Sequence, residues 1–184
     1  MIEHIPTPID GLVLLRPRIF TDPRGHFLET FSLRAFTDLA GSSGAFVQDN
    51  ESLSARHVLR GLHFQLDPHA QGKLVHVISG AVMDVCLDIR PASPTYGQHY
   101  KVRLDGASKE LLWIPPGFAH GFLALEENTL FAYKCTDYYH PASERTILWN
   151  DPELAIDWGL ERPIISDKDQ GGLPFRARWD LRTA

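Results

Sequence analysis

The stretch Val82-Met83-Asp84-Val85-Cys86-Leu87-Asp88-Ile89 gives the plainest indication of the fold. Its residues alternate in polarity. A strand would therefore place Asp84, Cys86 and Asp88 on one face, and the other face would be apolar. Just before it, residues 73–78 are also typical of a strand, and Ser79-Gly80 supplies the turn between the two. This part of the chain therefore predicts neighbouring β-strands.

Strand-like runs recur on both sides of this stretch, at residues 111–114 and 129–134, and both are rich in aromatic and branched residues. One helix is predicted from Ser32 as its N-cap to Gly41 at its end, with an apolar stripe through Leu33, Phe36 and Leu39 or Ala40. Ser166 is a candidate cap for a second short turn through Asp169. Many short strands with little helix predict an all-β sandwich or barrel, such as a jelly roll, with one or two short helices.

Bulk properties favour one domain spanning residues 1–184, because single domains typically run from about 50 to about 250 residues. The formal net charge of −5 argues against a nucleic-acid partner. The N-terminus lacks a signal-peptide pattern, and no run approaches the roughly 20 apolar residues of a membrane span. Cys86 and Cys135 both lie in hydrophobic runs, where free thiols are typical of a cytoplasmic protein.

Several catalytic motifs are missing from the sequence. It has no Gly-rich loop ending in Lys-Ser or Lys-Thr, and no Gly-x-Gly-x-x-Gly that follows a strand. Those absences argue against a P-loop nucleotidase and a Rossmann dehydrogenase. It also lacks a Gly-x-Ser-x-Gly elbow, which argues against a serine hydrolase.

The run Ile114-Pro115-Pro116-Gly117-Phe118-Ala119-His120 contains the spacing Pro-x-Gly-x-x-His, the second half of the cupin signature. The first half should supply His-x-His, but this chain has His63-Phe64-Gln65. Because metal centres normally need three or more protein ligands, we expect a cupin-like barrel with no metal and no other cofactor. His120 on its own is equally typical of a structural histidine at a turn.

The densest group of polar residues lies between residues 48 and 73. Each member alone is typical of a strand edge with a polar surface, but Arg60 and His63 alternate with apolar residues and glycine. A half-buried strand would need partners for both a cation and an imidazole. Tyr133 alone would be read as strand packing.

Taken in order, these segments resemble the dTDP-4-dehydrorhamnose 3,5-epimerase family over nearly the whole chain. The matching stretches are residues 20–29, 46–52, 58–65, 71–75, 88–97, 114–122, 133–139, 149–152 and 166–169. The resemblance implies a homodimeric, metal-free, cupin-like jelly roll that acts on a dTDP-linked 4-keto-6-deoxy sugar. It would invert C3 and C5 by removing protons next to the C4 ketone.

The resemblance also implies roles for individual residues. His63 would be the general base with Asp169 as its partner, Tyr133 the acid on the other face of the sugar, and Lys73 the cation near the keto oxygen. The substrate-binding residues would be Arg24, Phe27, Glu29, Gln48, Asn50, Arg60, His120 and Tyr138, with part of the nucleotide pocket lent by a second subunit.

General chemistry agrees with these roles. A proton next to a ketone is weakly acidic, so its removal needs a positioned base and a stabilised enolate. A neutral histidine accepts such a proton, and a carboxylate on its other nitrogen fixes the tautomer. Tyrosine stays protonated at neutral pH and can return a proton, and arginine suits the geometry of a diphosphate.

Three alternatives stay open at the level of sequence. One keeps the pocket but epimerises a single carbon, as in other deoxysugar pathways. Another is a metal-dependent cupin enzyme, which Gln65 disfavours. The third is a sugar-nucleotide or lectin-like binding protein without catalysis. His76 stands where the family often has arginine, and a change in pocket charge there would leave the exact substrate open.

Overall fold

The computed structural model describes residues 2–41 and 45–177, and they form two antiparallel sheets packed face to face. The six-stranded sheet has the order β1-β2-β10-β7-β12-β5, the five-stranded sheet β13-β6-β11-β8-β9, and β3-β4 form a separate hairpin. The strands are β1 Ile2–Ile5, β2 Val13–Pro17, β3 Phe20–Asp22, β4 Gly25–Phe27, β5 Gln48–Ser54, β6 Leu59–Gln65, β7 Lys73–Ser79, β8 Ala81–Asp88, β9 His99–Asp105, β10 Leu111–Ile114, β11 Phe118–Ala124, β12 Thr129–Cys135 and β13 Glu144–Thr146. The predicted all-β class, a jelly-roll sandwich with one or two short helices, is confirmed.

Strand β8 shows how the core is divided. Val82 and Cys86 belong to the apolar cluster between the two sheets, together with residues of β7, β10 and β12. Val85 and Leu87 belong to a second cluster on the other face of the five-stranded sheet, which residues 147–175 cover. The alternation predicted a polar face and an apolar face, but both faces are buried. The face with Asp84 and Cys86 lies between the two sheets, and the C-terminal segment covers the face with Val85 and Leu87. Asp84 is fully buried between the sheets.

Helix α1 spans Leu33–Ala40, and its buried residue Phe36 lies 5.0 Å from the ring of Trp113, edge to face. Those two rings join Leu74 and Leu111 in a third apolar cluster, so the helix covers the outer face of the six-stranded sheet. Gly41 ends it with a left-handed φ of 62°, as predicted. The predicted cap is only partly right: within residues 2–41 and 45–177, the Ser32 hydroxyl accepts no capping hydrogen bond.

Helix α2 spans Asp167–Gln170, and here the side chain of Ser166 does cap it, by accepting a hydrogen bond from the Asp169 amide at 3.2 Å. The predicted second turn is thus confirmed. Cys86 and Cys135 are both free and buried. In the described part of the chain, neither helix is long and apolar enough to cross a bilayer.

Candidate active site

The centre of the candidate site is a contact between a strand and the short helix α2. His63 Nε2, on β6, lies 2.6 Å from Asp169 Oδ1. The other carboxylate oxygen of Asp169 accepts a hydrogen bond from the Gly61 amide at 3.3 Å. Burial raises the pKa of Asp169, but the hydrogen bonds from His63, Gly61 and Ser166 outweigh that effect and lower it below its ordinary value. Asp169 is therefore an ionised carboxylate that orients the imidazole.

Glycine residues allow β6 to approach β11 closely beside this contact. Gly61 has a φ of 129°, and a Cβ atom there would lie 2.5 Å from the Cα of Gly121. The two strands pair so that His120 lies opposite His63. The close approach brings both imidazoles to the same end of the sandwich.

The opposite wall of the site comes from the other sheet. Lys73 on β7 and Tyr133 on β12 line two adjoining cavities, of about 210 and 310 Å³, together with His63 and Glu144. We call these two cavities the cleft. Because His63 belongs to the five-stranded sheet and Tyr133 to the six-stranded sheet, the histidine and the tyrosine approach the cleft from opposite sides.

Burial changes the acidity of both residues on this wall. It lowers the pKa of Lys73, although the nearby carboxyl groups of Glu144 and Asp84 oppose the change. It also raises the pKa of Tyr133, an effect that the positive charge of Arg60 only partly opposes. Tyr133 therefore keeps its proton at neutral pH and is able to donate it.

His120 is held by a buried carboxylate. Its Nε2 lies 2.9 Å from Asp84 Oδ2, and Asp84 is completely buried on β8. His120 lines the cleft beside Phe122 and Phe131. The prediction did not include Asp84, although an acid in a hydrophobic strand signals a buried group that needs a partner.

Glu144 and Lys168 also line the cleft and were missed from the sequence. Lys168 Nζ lies 2.6 Å from Glu144 Oε1, and the Tyr139 hydroxyl donates to Glu144 Oε2 at 2.7 Å. Burial raises the pKa of Glu144, but these two contacts outweigh it and lower the pKa below its ordinary value. Lys168 is next to Asp169 in the sequence, which was the one local signal that could have identified it.

Three predicted substrate-binding residues lie at the rim or wall of the cleft. Arg60 is exposed, and its Nε donates to Ser54 Oγ at 3.1 Å. Gln48 and Asn50 follow each other on one face of β5, where Gln48 Nε2 donates to Asn50 Oδ1 at 2.9 Å. Arg60 lines the larger cavity, and the two amides line the smaller one.

The other predicted nucleotide-binding residues do not line the two cavities of the cleft. Arg24 and Phe27 line a cavity on the β3–β4 hairpin, whose lining shares no described residue with the cleft, and Glu29 is exposed just after that hairpin. Tyr138 is 65% exposed on the loop that follows β12. A single chain therefore leaves Arg24, Phe27 and Glu29 outside the cleft.

His76 does not face the cleft. It lies on the outer side of β7 and lines another cavity of about 340 Å³, beside Leu111 and Lys134. Burial lowers the pKa of His76, and the positive charges of Lys109 and Lys134 lower it further. His76 does not change the charge of the cleft of its own chain, because the strand alternation directs it away from Lys73.

Gln65 occupies the position where a cupin would have its second histidine. Its amide is bonded to three backbone groups of two loops. Among residues 2–41 and 45–177, no group of three or more His, Cys, Asp or Glu side chains is arranged to hold a metal ion.

Comparisons with known proteins agree on one family. A family model described as dTDP-4-dehydrorhamnose 3,5-epimerase matches residues 6–177. The chain is similar to a dTDP-4-dehydrorhamnose 3,5-epimerase from Pseudomonas aeruginosa, at 51% identity over 168 residues that cover 91% of this chain and 92% of the relative.

Solved structures extend the similarity to three dimensions. A dTDP-6-deoxy-D-glucose-3,5-epimerase from Legionella pneumophila, in complex with dTDP-4-keto-L-rhamnose, matches with a TM-score of 0.92 and 49% identity, covering 95% of this chain and 93% of that chain. A 3'-monoepimerase from Streptomyces bikiniensis, in complex with dTDP-quinovose, matches with a TM-score of 0.88 and 32% identity, covering 92% and 86%.

Proposed function

The chain belongs to the dTDP-4-dehydrorhamnose 3,5-epimerase family, and we propose that its cleft carries out that reaction through His63, Asp169, Lys73 and Tyr133. The substrate is a dTDP-4-keto-6-deoxy-D-glucose, inverted at C3 and C5 to the L-lyxo, 4-dehydrorhamnose sugar. The observation that carries the assignment of residues is the arrangement of the cleft. A carboxylate-bound histidine on one wall faces a lysine and a protonated tyrosine on the other.

In the first half of each inversion, His63 takes the proton next to the C4 ketone. Its Nε2 is held by Asp169, so Nδ1 is the ring nitrogen left to accept that proton. The electron pair of the broken C–H bond moves into the C–C bond as the ketone becomes an enolate. Asp169 stabilises the imidazolium that forms, and the ammonium of Lys73 stabilises the negative oxygen.

In the second half, a proton returns to the same carbon from the opposite face. Tyr133 lies on the wall across from His63, and its raised pKa keeps it protonated until the enolate is present. Donation from Tyr133 restores the ketone and completes the inversion, leaving a tyrosinate and a His63 imidazolium. Proton exchange with water then returns a proton to Tyr133 and removes one from His63 before the next inversion. Its position across the cleft is what distinguishes inversion from simple return of the proton that His63 removed.

We assign binding of the substrate's nucleotide end to four residues of one chain, Arg60, Gln48, Asn50 and Tyr138. Arg60 supplies a cation for the diphosphate, since guanidinium groups bind phosphate oxygens in a planar, bidentate way. His120, fixed by Asp84, contacts the sugar. We place Arg24, Phe27 and Glu29 in the pocket of a partner subunit, because their hairpin lies away from the cleft of its own chain.

We further propose that residues 1–184 act as one domain, within a homodimer, in the cytoplasm. The two free, buried thiols support a reducing compartment. Arg24 and Phe27 on the hairpin and Glu29 just after it are exposed, and they support a dimer, since a partner's cleft would give them a function.

Isotope exchange tests the proposed function directly. The pure protein is incubated in deuterated water with dTDP-4-keto-6-deoxy-glucose, and the sugar is followed by proton NMR. We expect deuterium at both C3 and C5, and a loss of exchange of about a thousandfold or more in His63→Asn, because no base remains. Exchange at C3 alone would identify the single-carbon reaction of the Streptomyces relative. No exchange in the unaltered protein would refute the assignment for this substrate.

A further inference from the structure

The backbone of the loop at residues 137–140, after β12, is bonded by side chains from other parts of the chain. Three glutamine side chains bond four consecutive residues of it. The bonds are Gln71 Nε2 to the Asp137 carbonyl at 2.7 Å, Gln65 Nε2 to the Tyr138 carbonyl at 3.2 Å, the Tyr139 amide to Gln48 Oε1 at 2.9 Å, and the His140 amide to Gln65 Oε1 at 2.7 Å. We call this arrangement the glutamine clamp.

Gln65 is the central member of the glutamine clamp. It is 8% exposed and lies two residues after His63 on β6, so it continues the same strand face as the base. Its Nε2 also donates to the His69 carbonyl at 2.7 Å, which ties the loop before β7 to the loop after β12. A primary amide donates two hydrogen bonds and accepts others, so it satisfies two carbonyls and one amide at once. Neither a carboxylate nor an apolar side chain of the same length could do so.

The clamped loop also carries two adjacent exposed aromatic residues. Tyr138 is 65% exposed and Tyr139 is 51% exposed. The hydroxyl of Tyr139 reaches Glu144 in the cleft, which places this pair at the cleft's edge. Exposed aromatic faces on a firmly held loop are suited to stack against a flat ring, and stacking on a nucleobase stabilises binding by about 1–3 kcal/mol per base.

We propose that Gln65 and Gln71 are positioning residues that hold the tyrosine-bearing loop in the geometry that binds the nucleotide end of the substrate. This inference rests on the proposed function, because it takes the base of the substrate's nucleotide as the group that meets the tyrosines. Both glutamines line the smaller cavity of the cleft, and their proposed effect is exerted through the loop backbone. Holding the loop in its bound geometry before the ligand arrives removes the entropic cost of ordering it on binding.

The test compares two ligands that share the diphosphate, of which only one carries a nucleoside. Gln65→Met removes two of the clamp's four hydrogen bonds and Gln71→Met removes one, both with little change in volume. Gln98→Met is the control, because Gln98 is exposed and lies just before β9. Binding of dTDP and of inorganic pyrophosphate is measured by calorimetry for each variant, and thermal unfolding shows that each variant is folded.

We expect each clamp variant to bind dTDP about tenfold more weakly, while pyrophosphate binding stays within about twofold of the unaltered protein. In turnover, KM rises by a similar factor and kcat stays within about threefold, since the reacting atoms are untouched. Equal weakening of both ligands would overturn the inference, because it would mean general damage to the cleft. Unchanged dTDP binding in both clamp variants would overturn it as well.

A second measurement does not depend on activity. Hydrogen exchange of the Tyr139 and His140 amides is followed by NMR in the ligand-free protein. In Gln65→Met we expect the His140 amide to exchange about tenfold or more faster, because its acceptor is gone. Unchanged hydrogen exchange of the His140 amide would overturn the proposed role of the clamp even if the protein proves to be an epimerase. Conversely, the unaltered protein could bind dTDP but catalyse no isotope exchange into the sugar, which would refute the proposed reaction. Weaker dTDP binding in the clamp variants would then still support the clamp.

Discussion

Asp169 shows how one buried carboxylate defines the chemistry of a neighbouring histidine. Its side chain is 4% exposed, and an isolated charge at that depth would be costly. His63 and the Gly61 amide occupy its two oxygens, so the charge is retained and directed at one ring nitrogen. The tautomer of His63 is therefore set by a residue 106 positions away in the chain.

Replacing Asp169 by Asn should remove this control while keeping the shape of the side chain. We expect Asp169→Asn to reduce deuterium incorporation at C3 and C5 by about a thousandfold to ten-thousandfold, because the amide does not stabilise the imidazolium. The matched control is Asp167→Asn, an exposed acid on the same short helix, which should retain full exchange. A rate for Asp169→Asn within a few-fold of the unaltered protein would show that the carboxylate has no part in catalysis.

At the scale of elements, the end of β8 is organised by a single acid. Asp88 is fully buried and accepts hydrogen bonds from Arg90 Nη2 at 2.7 Å, Ser93 Oγ at 2.6 Å and Thr95 Oγ1 at 2.6 Å. Burial alone would raise its pKa, but these bonds outweigh it and lower the pKa to about 2. The connection from β8 to β9 is thus folded around a carboxylate that is charged at neutral pH.

The stability that Asp88 supplies should depend on pH in a defined window. Because the folded pKa of about 2 lies below the ordinary value of 3.8, the contribution is present above about pH 4 and is lost as the pH falls toward 2. We expect Asp88→Asn to lower the free energy of unfolding by about 1–2 kcal/mol at pH 7, and by less at pH 2.5. Urea unfolding at both pH values measures this difference.

The control for that experiment is Glu153→Gln, which removes the exposed ion pair between Glu153 and Arg176. Exposed pairs contribute little, so the change should stay within about 0.5 kcal/mol at pH 7. A loss for Asp88→Asn that is no larger than this, or that is the same at both pH values, would contradict the assigned role.

At the scale of the whole molecule, the cleft exists because two sheets meet face to face. The five-stranded sheet contributes His63 and His120, and the six-stranded sheet contributes Lys73 and Tyr133. The β3–β4 hairpin with Arg24 lies apart from this cleft. The molecule therefore carries the four proposed reacting groups in its cleft and a separate group of exposed polar and aromatic residues on the hairpin.

Mixing two inactive variants tests whether that hairpin serves a partner's cleft. His63→Asn lacks the base, and Arg24→Ala lacks the hairpin cation. If each cleft combines His63 of one chain with Arg24 of the other, random exchange of subunits restores about a quarter of the sites. Turnover is measured before and after the variants are mixed, denatured and refolded together. Mixing each variant with itself is the control, and a mixture that stays inactive would show that each chain supplies its own hairpin.

The sequence by itself determined the all-β class, four of the strands and the two short helices, and it supplied the candidate reacting residues. Alternation and turn residues are local signals, so β7, β8, β10 and β12 were predicted within about a residue or two of their ends. His63, Tyr133, Lys73 and Asp169 were identified because their segments resemble a family in order and spacing. The catalytic roles of these four residues stay predictions that the exchange experiments test.

Only the tertiary structure decided which side chains meet. Burial of β8 on both faces, the Asp84–His120 contact and the place of Glu144 in the cleft all depend on segments far apart in the chain. The same holds for Gln65, which looked like a lost metal ligand and proved to bond two loops. The physical reason is that a strand's pattern reports only whether a face is buried. The partner that satisfies a buried polar group is chosen by how the sheets pack.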